Sequence, residues 1–350
     1  MQLDLDDDQL SLRNAAREIL VHACTPEHVR AVRESAPGAR QAQDELWAQL
    51  ADLDLLVLGL PEQDGGLGQT DLELAILLEE AGRVALPGPL LETLVVTFVL
   101  AETASTPAHR RWLTELGQGT ATATIVPGQG LAAWADRAAV ALVTEGDELH
   151  LVPAEKLDII SLESVDQVRP LATVQCTPDA ETRLTADRRA LVRLQDRLSV
   201  AASAVLVGIS AHLVEATVDY VRSRTQFGRP IGSFQAVKHR LAEAHLAIET
   251  ARPAVWAAAE LIAASDPDVS VAAAVARSYC AQAAAVVNTH ALQCHGGIGF
   301  TREYDLQLWL TLGKAIERAY ESARSSRARI ADSILGPVNA DPRGPAGTPR

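Results

Sequence analysis

The chain is 350 residues long, 48% apolar and only 4% aromatic, with a formal net charge of −14. That length excludes one small core and suits two or three packed units. The acidic balance excludes nucleic acid or an anionic membrane as the main partner, because both want basic surface, yet it leaves room for an anionic small molecule held by a few local arginines.

The N-terminus, MQLDLDDDQL, lacks the basic and apolar regions of a secretory signal. No apolar run reads as long enough to cross a membrane. Cys24, Cys176, Cys280 and Cys294 lie far apart without metal-ligand spacing, which suits reduced thiols. A soluble, cytoplasmic protein is expected.

Residues 1–118 read as helices broken by loops such as LPEQDGGLGQTD (60–71), with Asp71 placed to cap the helix LELAILLEEAGR. Residues 119–185 change character. TATATIVPG, AAVALVTEGDELHLVPA and VRPLATVQC are rich in Val, Thr and Leu and punctuated by Gly, Asp and Pro, so they read as strands. From 186 the helical period returns. Leu206, Ile209, Leu213, Ala216 and Tyr220 form one stripe, and Phe234, Val237, Leu241, Ala244, Ile248 and Ala251 another. They suit two antiparallel helices of a bundle joined by RTQFGRPIGS. An alanine-rich helix over 271–292 and a last helix over 304–335 complete a domain spanning 186–335. The tail 336–350 reads as disordered.

The connection RTQFGRPIGSFQAVKHRLAE (224–243) holds more chemistry than a turn needs, since Gly228, Pro230 and Gly232 alone would make one. Together with ALQCHGGIGFTREYDLQLWL (291–310) and LPEQDGGLGQTDLELAILLEEAGR (60–83), it resembles the acyl-CoA dehydrogenase family. The three segments carry that family's Arg–x–x–Phe–Gly, Gln–x–x–Gly–Gly–x–Gly and Pro–Glu–x–x–Gly–Gly–Leu–Gly patterns in the family's order, and span most of the chain. The resemblance implies a mainly α fold with a small β domain: an N-terminal helical domain, a reduced middle β domain and a C-terminal four-helix bundle.

It also implies FAD. A pyrophosphate needs both charge and hydrogen bonds, and the planar fork of arginine supplies both. By resemblance, Arg224, Gln226 and Phe227 bind the adenine–pyrophosphate half, Gln235 reaches it from the next helix, and Gln293, Gly296 and Gly297 close around it. In the family these groups typically serve a flavin seated mainly on a neighbouring chain. Taken singly, Arg224 reads as a solvated arginine at a helix end and the glycines as a helix cap; the flavin reading rests on their joint occurrence in the family's order. His295 reads as a packing or backbone-bonding residue. His239, His245 and His290 have no ligand spacing, so no metal site is expected.

The catalytic base is where the pattern departs. A Glu–Gly–Thr segment carries it in many members. Counting from Gly296 without gaps, Tyr320 falls in that slot; Glu321 reaches it only through a one-residue insertion, a rotation of about 100° on a helix. The weak candidate Glu321 then reads as a solvated helix residue. The alternative base position, at the start of the bundle's first helix, falls on Leu198 followed by Ser199, with Asp196 and Arg197 read as surface charges. A flavin-ring loop of the Thr–Glu–Pro–x–Ala–Gly–Ser–Asp kind is missing from TATATIVPGQGLAAWADRAAV, and Arg169 in DQVRPLATV (166–174) reads as a loop arginine.

The expected protein is therefore one subunit of a heteromeric, FAD-dependent acyl-CoA dehydrogenase, a heterotetramer with a homologous catalytic subunit. Its substrate would be an acyl-CoA from lipid or steroid degradation, with electron-transfer flavoprotein as acceptor. Two alternatives stay open: a self-sufficient homo-oligomer with Glu321 as displaced base, and a non-catalytic scaffold subunit.

Overall fold

Helix-start signals are used where the sequence carries them. In the computed structural model, which describes residues 4–336 except 129, α1 (Asp7–Ala23) opens on an Asp6/Gln9 capping box and α2 (Pro26–Arg33) on Thr25 with proline in its first turn. After α3 (Ala39–Asp52), α4 (Asp71–Arg83) starts from Thr70, whose hydroxyl and Glu73 form a second capping box. Asp71 is therefore not the cap. It sits one position inside the helix, where its carboxylate is free to pair elsewhere. Next come α5 (Leu90–Thr103), apolar nearly all round and buried, and α6 (Pro107–Gly117).

The middle segment is a small two-sheet β unit. β1 (Ala123–Pro127), β3 (Val140–Glu145), β4 (Glu148–Pro153) and β7 (Arg183–Thr185) form one sheet in the order β1-β3-β4-β7, with β1 parallel to β3. β2 (Gly130–Ala133), β6 (Leu171–Gln175) and β5 (Asp158–Leu162) form an antiparallel second sheet, in the order β2-β6-β5. Alternation explains the continuous apolar run VALV. Val140 and Leu142 face the main core, while Ala141 and Val143 face the second sheet, so both faces are covered. The strands 130–133, 158–162 and 183–185 are short and weakly patterned, and sequence reading missed them.

The helical core is crossed by α7 (Arg188–Ser223). It packs on α4, on α8 (Gln235–Ala263) and on α9 (Val269–His295). Two glycines set how closely α4 and α7 cross. A Cβ on Gly208 would lie 1.9 Å from the Glu79 carbonyl oxygen, and one on Gly82 2.3 Å from that of Val205. Contrary to the sequence expectation, α7 and α9 are long and apolar enough to cross a membrane by length and composition. In α7 that stretch is nearly all buried against neighbouring helices.

The last helix expected over 304–335 is two, α10 (Leu306–Arg318) and α11 (Ala323–Leu335). The break has a cause. The guanidinium of Arg277 on α9, fully buried, donates to the carbonyls of Ile316, Glu317, Ala319 and Glu321 at 2.7–3.0 Å. The backbone N–H groups of Ala319 and Glu321 turn back to the carbonyls of Ile316 and Ala319 in tighter, non-α bonds, so the helical ladder does not continue. Tyr320, between Ala319 and Glu321, is held at φ +61°. The expectation for the tail falls, from residue 337 on, outside the described residues.

Candidate active site

Residues singled out by the sequence collect in two places. The first is one end of the bundle, where α7 and α9 finish and α8 begins. Arg224 ends α7, and its guanidinium has no hydrogen-bond or ion-pair partner among the described residues. A two-residue hairpin follows, β8 (Thr225–Gln226) against β9 (Arg229–Pro230), with the Ile231 N–H donating to the Arg224 carbonyl at 2.8 Å. Its turn residues, Phe227 and Gly228, both have positive φ, +54° and +77°. That is ordinary for glycine but strained for an aromatic, which is moreover 90% exposed. Gln235 is the first residue of α8, exposed, with no side chain capping the helix start. Arg229 lies over the Phe234 ring at 4.2 Å.

The second glycine-rich motif reaches the same place because rings join the two helix ends. Tyr220 stacks on His295 at 4.3 Å, and His295 meets Tyr304 at 5.2 Å. His295 is buried with Nδ1 2.8 Å from the Ala291 carbonyl, and burial lowers its pKa; it packs and bonds backbone as expected. Gln293 is exposed. Gly296 turns the chain at φ +64°, and a Cβ at Gly296 or Gly297 would meet nothing within 4 Å. The chain's own packing leaves the surface over both glycines open.

The second place lies at the other end of α7. A cavity of about 410 Å³ opens between the tips of β1 and β3, the first turns of α7 and the α10–α11 connection; Ile125, Pro127, Thr144, Leu198, Tyr320 and Glu321 line it. Glu321 is no solvated helix residue, because the connection is not helical there. Its side chain is 13% exposed, and its carboxylate accepts from the Ser199 hydroxyl at 2.7 Å and from Arg329 at 2.9 Å. The two alternative base positions, far apart in sequence, thus meet in one cavity.

Three residues read as surface or loop charges are instead buried. Asp196 is bonded by Arg329 and, at 2.6 Å, by Ser270; Arg329 also donates to the Ser270 carbonyl at 2.7 Å. Burial raises the Asp196 pKa, opposed by Ser270 and Arg329. Arg197 makes a bidentate pair with Asp71 at 2.6 and 3.0 Å and reaches Glu102 at 2.8 Å. Arg169 bonds Glu92 at 2.8 Å and the Tyr320 hydroxyl at 2.9 Å, and that hydroxyl donates to Glu92 at 2.6 Å. Tyr320, in the ungapped base slot, has its proton committed to Glu92; burial, then the Glu92 charge, push its pKa well above the usual phenol value. Lone charges in a sequence do not announce partners a hundred residues away. Among the described residues no group of three or more His, Cys, Asp or Glu is arranged to hold a metal.

Arg224 and Ser199 are 25 positions apart on one helix, roughly 37 Å at 1.5 Å per residue. The bundle end and the cavity therefore lie at opposite ends of one long helix.

Residues 6–120 match the acyl-CoA dehydrogenase N-terminal domain and residues 194–328 the C-terminal domain. The acyl-CoA dehydrogenase IpdE2 of Mycolicibacterium smegmatis is 32% identical over 324 residues, 91% of this chain and 94% of that protein. The chain belongs to the acyl-CoA dehydrogenase family. It is an oxidoreductase acting on a CH–CH bond, and the family is FAD-dependent. A variant of the Tcur3481–Tcur3483 steroid ACAD superposes with a TM-score of 0.84 at 28% identity, over 94% of this chain and 98% of that one. The ChsE4–ChsE5 complex of Mycobacterium tuberculosis shares the fold, with a TM-score of 0.84 at 23% identity over 96% and 99% of the two chains.

Proposed function

We propose that this acyl-CoA dehydrogenase is one subunit of a heteromeric enzyme, with its bundle end clamping the phosphate–adenine half of an FAD seated against a homologous partner. The observation that carries this reading is the collection, at one exposed end, of an unpartnered guanidinium, three amide side chains, a strained exposed phenylalanine and two open glycines, at the opposite end of α7 from the chain's own cavity. The donor set suits the ligand. Arg224 offers a fork to the pyrophosphate, and the open first turn of α8 adds backbone N–H groups. Gln226, Gln235 and Gln293 supply further hydrogen bonds, Phe227 a face for the adenine, and Gly296 and Gly297 close backbone approach. Bound FAD supplies the hydride acceptor. Two similar structures carry paired subunit names, one of them a steroid enzyme, which supports a heterotetramer acting on a CoA thioester from lipid or steroid degradation. Electron-transfer flavoprotein as acceptor and a cytoplasmic location complete the reading. Co-expression with a homologous dehydrogenase subunit is expected to give a yellow complex, and the chain alone a colourless protein. A flavin-saturated homo-oligomer would overturn it.

A second reading is favoured by one observation: Glu321 faces a cavity instead of solvent. There it is placed to accept the proton from the carbon beside a thioester carbonyl, whether in the heteromer or in a self-sufficient homo-oligomer. Dye-linked oxidation of acyl-CoA by the lone chain would select the homo-oligomer.

A further inference from the structure

Besides the cavity that Glu321 lines there is a second, smaller one of about 40 Å³. Its walls include Leu78, Leu91, Trp134, Val205, Leu312 and Ile316, together with Glu92 and Arg169. Tyr320 links the two: it lines the larger cavity, and its hydroxyl touches the two charged residues that line the smaller one. The Arg169 guanidinium also lies 5.5 Å over the ring.

We propose that Tyr320, locked by Glu92 and Arg169, is the back wall that sets the depth of this chain's acyl pocket and limits it to short acyl segments. The inference rests on the reading of the Glu321 cavity as the place where an acyl thioester enters. Beyond the tyrosine the space is mostly apolar, suited to methylene groups, yet closed to them.

The wall is fixed, not a swinging gate. The carbonyls on either side of Tyr320, those of Ala319 and Glu321, are both held by Arg277 at 2.9 and 3.0 Å. The phenol makes one donated and one accepted hydrogen bond with buried charges, and turning it aside would forfeit both. Shortening the residue is different. Glu92 and Arg169 still bond each other at 2.8 Å, so Tyr320→Leu retains a compensated pair while opening the partition.

The test is titration of the purified heteromeric complex with non-reactive thioether analogues of butanoyl-CoA and octanoyl-CoA, the partner being identical throughout. In the wild type, lengthening the chain is expected to bring no gain in affinity. In Tyr320→Leu the octanoyl analogue is expected to bind about tenfold tighter than the butanoyl one, as burying about two further methylenes implies. Tyr320→Phe keeps the ring and is expected to keep the wild-type ratio. A wild-type complex that already favours the octanoyl analogue overturns the wall, even if no variant folds, and so does an unchanged ratio in folded Tyr320→Leu. Failure of every analogue to bind any complex overturns the wall together with the reading of the cavity.

Discussion

The Ser199 hydroxyl donates to the Glu321 carboxylate at 2.7 Å, joining the first half of α7 to the turn before α11. Ser199 and Arg329 both donate to the same carboxylate oxygen, which leaves the other oxygen without a hydrogen bond among the described residues. If that oxygen takes the substrate proton, Glu321→Gln lowers turnover of the active complex by about 10²–10⁴-fold while thioester binding is retained. The amide oxygen can still accept from Ser199, so the fold should not change. Ser199→Ala loosens the carboxylate without removing it, and a smaller loss is expected. Steady-state rates with an artificial electron acceptor measure both, and full activity in Glu321→Gln would remove this residue from the chemistry.

Arg224 makes a different kind of prediction, because its guanidinium bonds no other group among the described residues. Arg224→Ala should leave the thermal stability of the isolated chain unchanged and weaken FAD in the complex. Loss of a charge-assisted hydrogen bond worth about 1.5–3 kcal/mol corresponds to a ten- to hundredfold rise in dissociation constant. Flavin absorbance retained after dialysis reads it directly. A complex that keeps its flavin as tightly as the wild type would show that the bundle end is no clamp.

The buried pair of Arg197 and Asp71 ties the first turn of α4 to α7, with the guanidinium also 5.3 Å over Phe98. Asp71→Ala leaves a fully buried guanidinium leaning on the partly exposed Glu102, and should cost about 3–5 kcal/mol of stability. The double change Asp71→Leu with Arg197→Met removes both charges and should cost far less than Asp71→Ala alone. Urea unfolding of the three variants decides it; equal losses in the single and double variants would mean that the pair is not what makes the site sensitive.

That pair also marks the limit of what the sequence discloses. The stripes of α7 and α8 are legible because a 3.6-residue apolar period depends on near neighbours. The end of the bundle is legible for a related reason: Arg224 through Gln235 lie together in the chain, and Gln293 through Gly297 likewise. The cavity is not. Its carboxylate, hydroxyl and tyrosine are assembled from α7 and from a turn whose shape is imposed by Arg277, more than forty positions away, through backbone carbonyls that no side-chain pattern encodes. An argument from helical rotation failed at Glu321 because Arg277 had already ended the helix. Asp196, Arg197 and Arg169 were misread in the same way, since a charge looks solvated until its partner is seen.

His212 supplies a pH dependence of defined sign. Its ring stacks on Trp309 at 3.7 Å, and burial, reinforced by Arg83 and opposed by Glu215 and Asp305, lowers its pKa from 6.5 to about 4. A histidine depressed on folding takes up its proton first in the unfolded chain, so stability falls as pH drops from 6.5 toward 4, by about 1.4 kcal/mol per unit. Asp166 works in the opposite direction. Burial raises its pKa from 3.8 to about 6, so the folded state protonates first and gains stability as pH drops through 6 toward 3.8. His212→Phe keeps an aromatic ring against Trp309 but removes the titration. Between pH 7 and pH 5 its urea-unfolding free energy should therefore rise by about 2 kcal/mol relative to the wild type. A difference that stays constant across that range would mean that His212 is not held neutral by the fold.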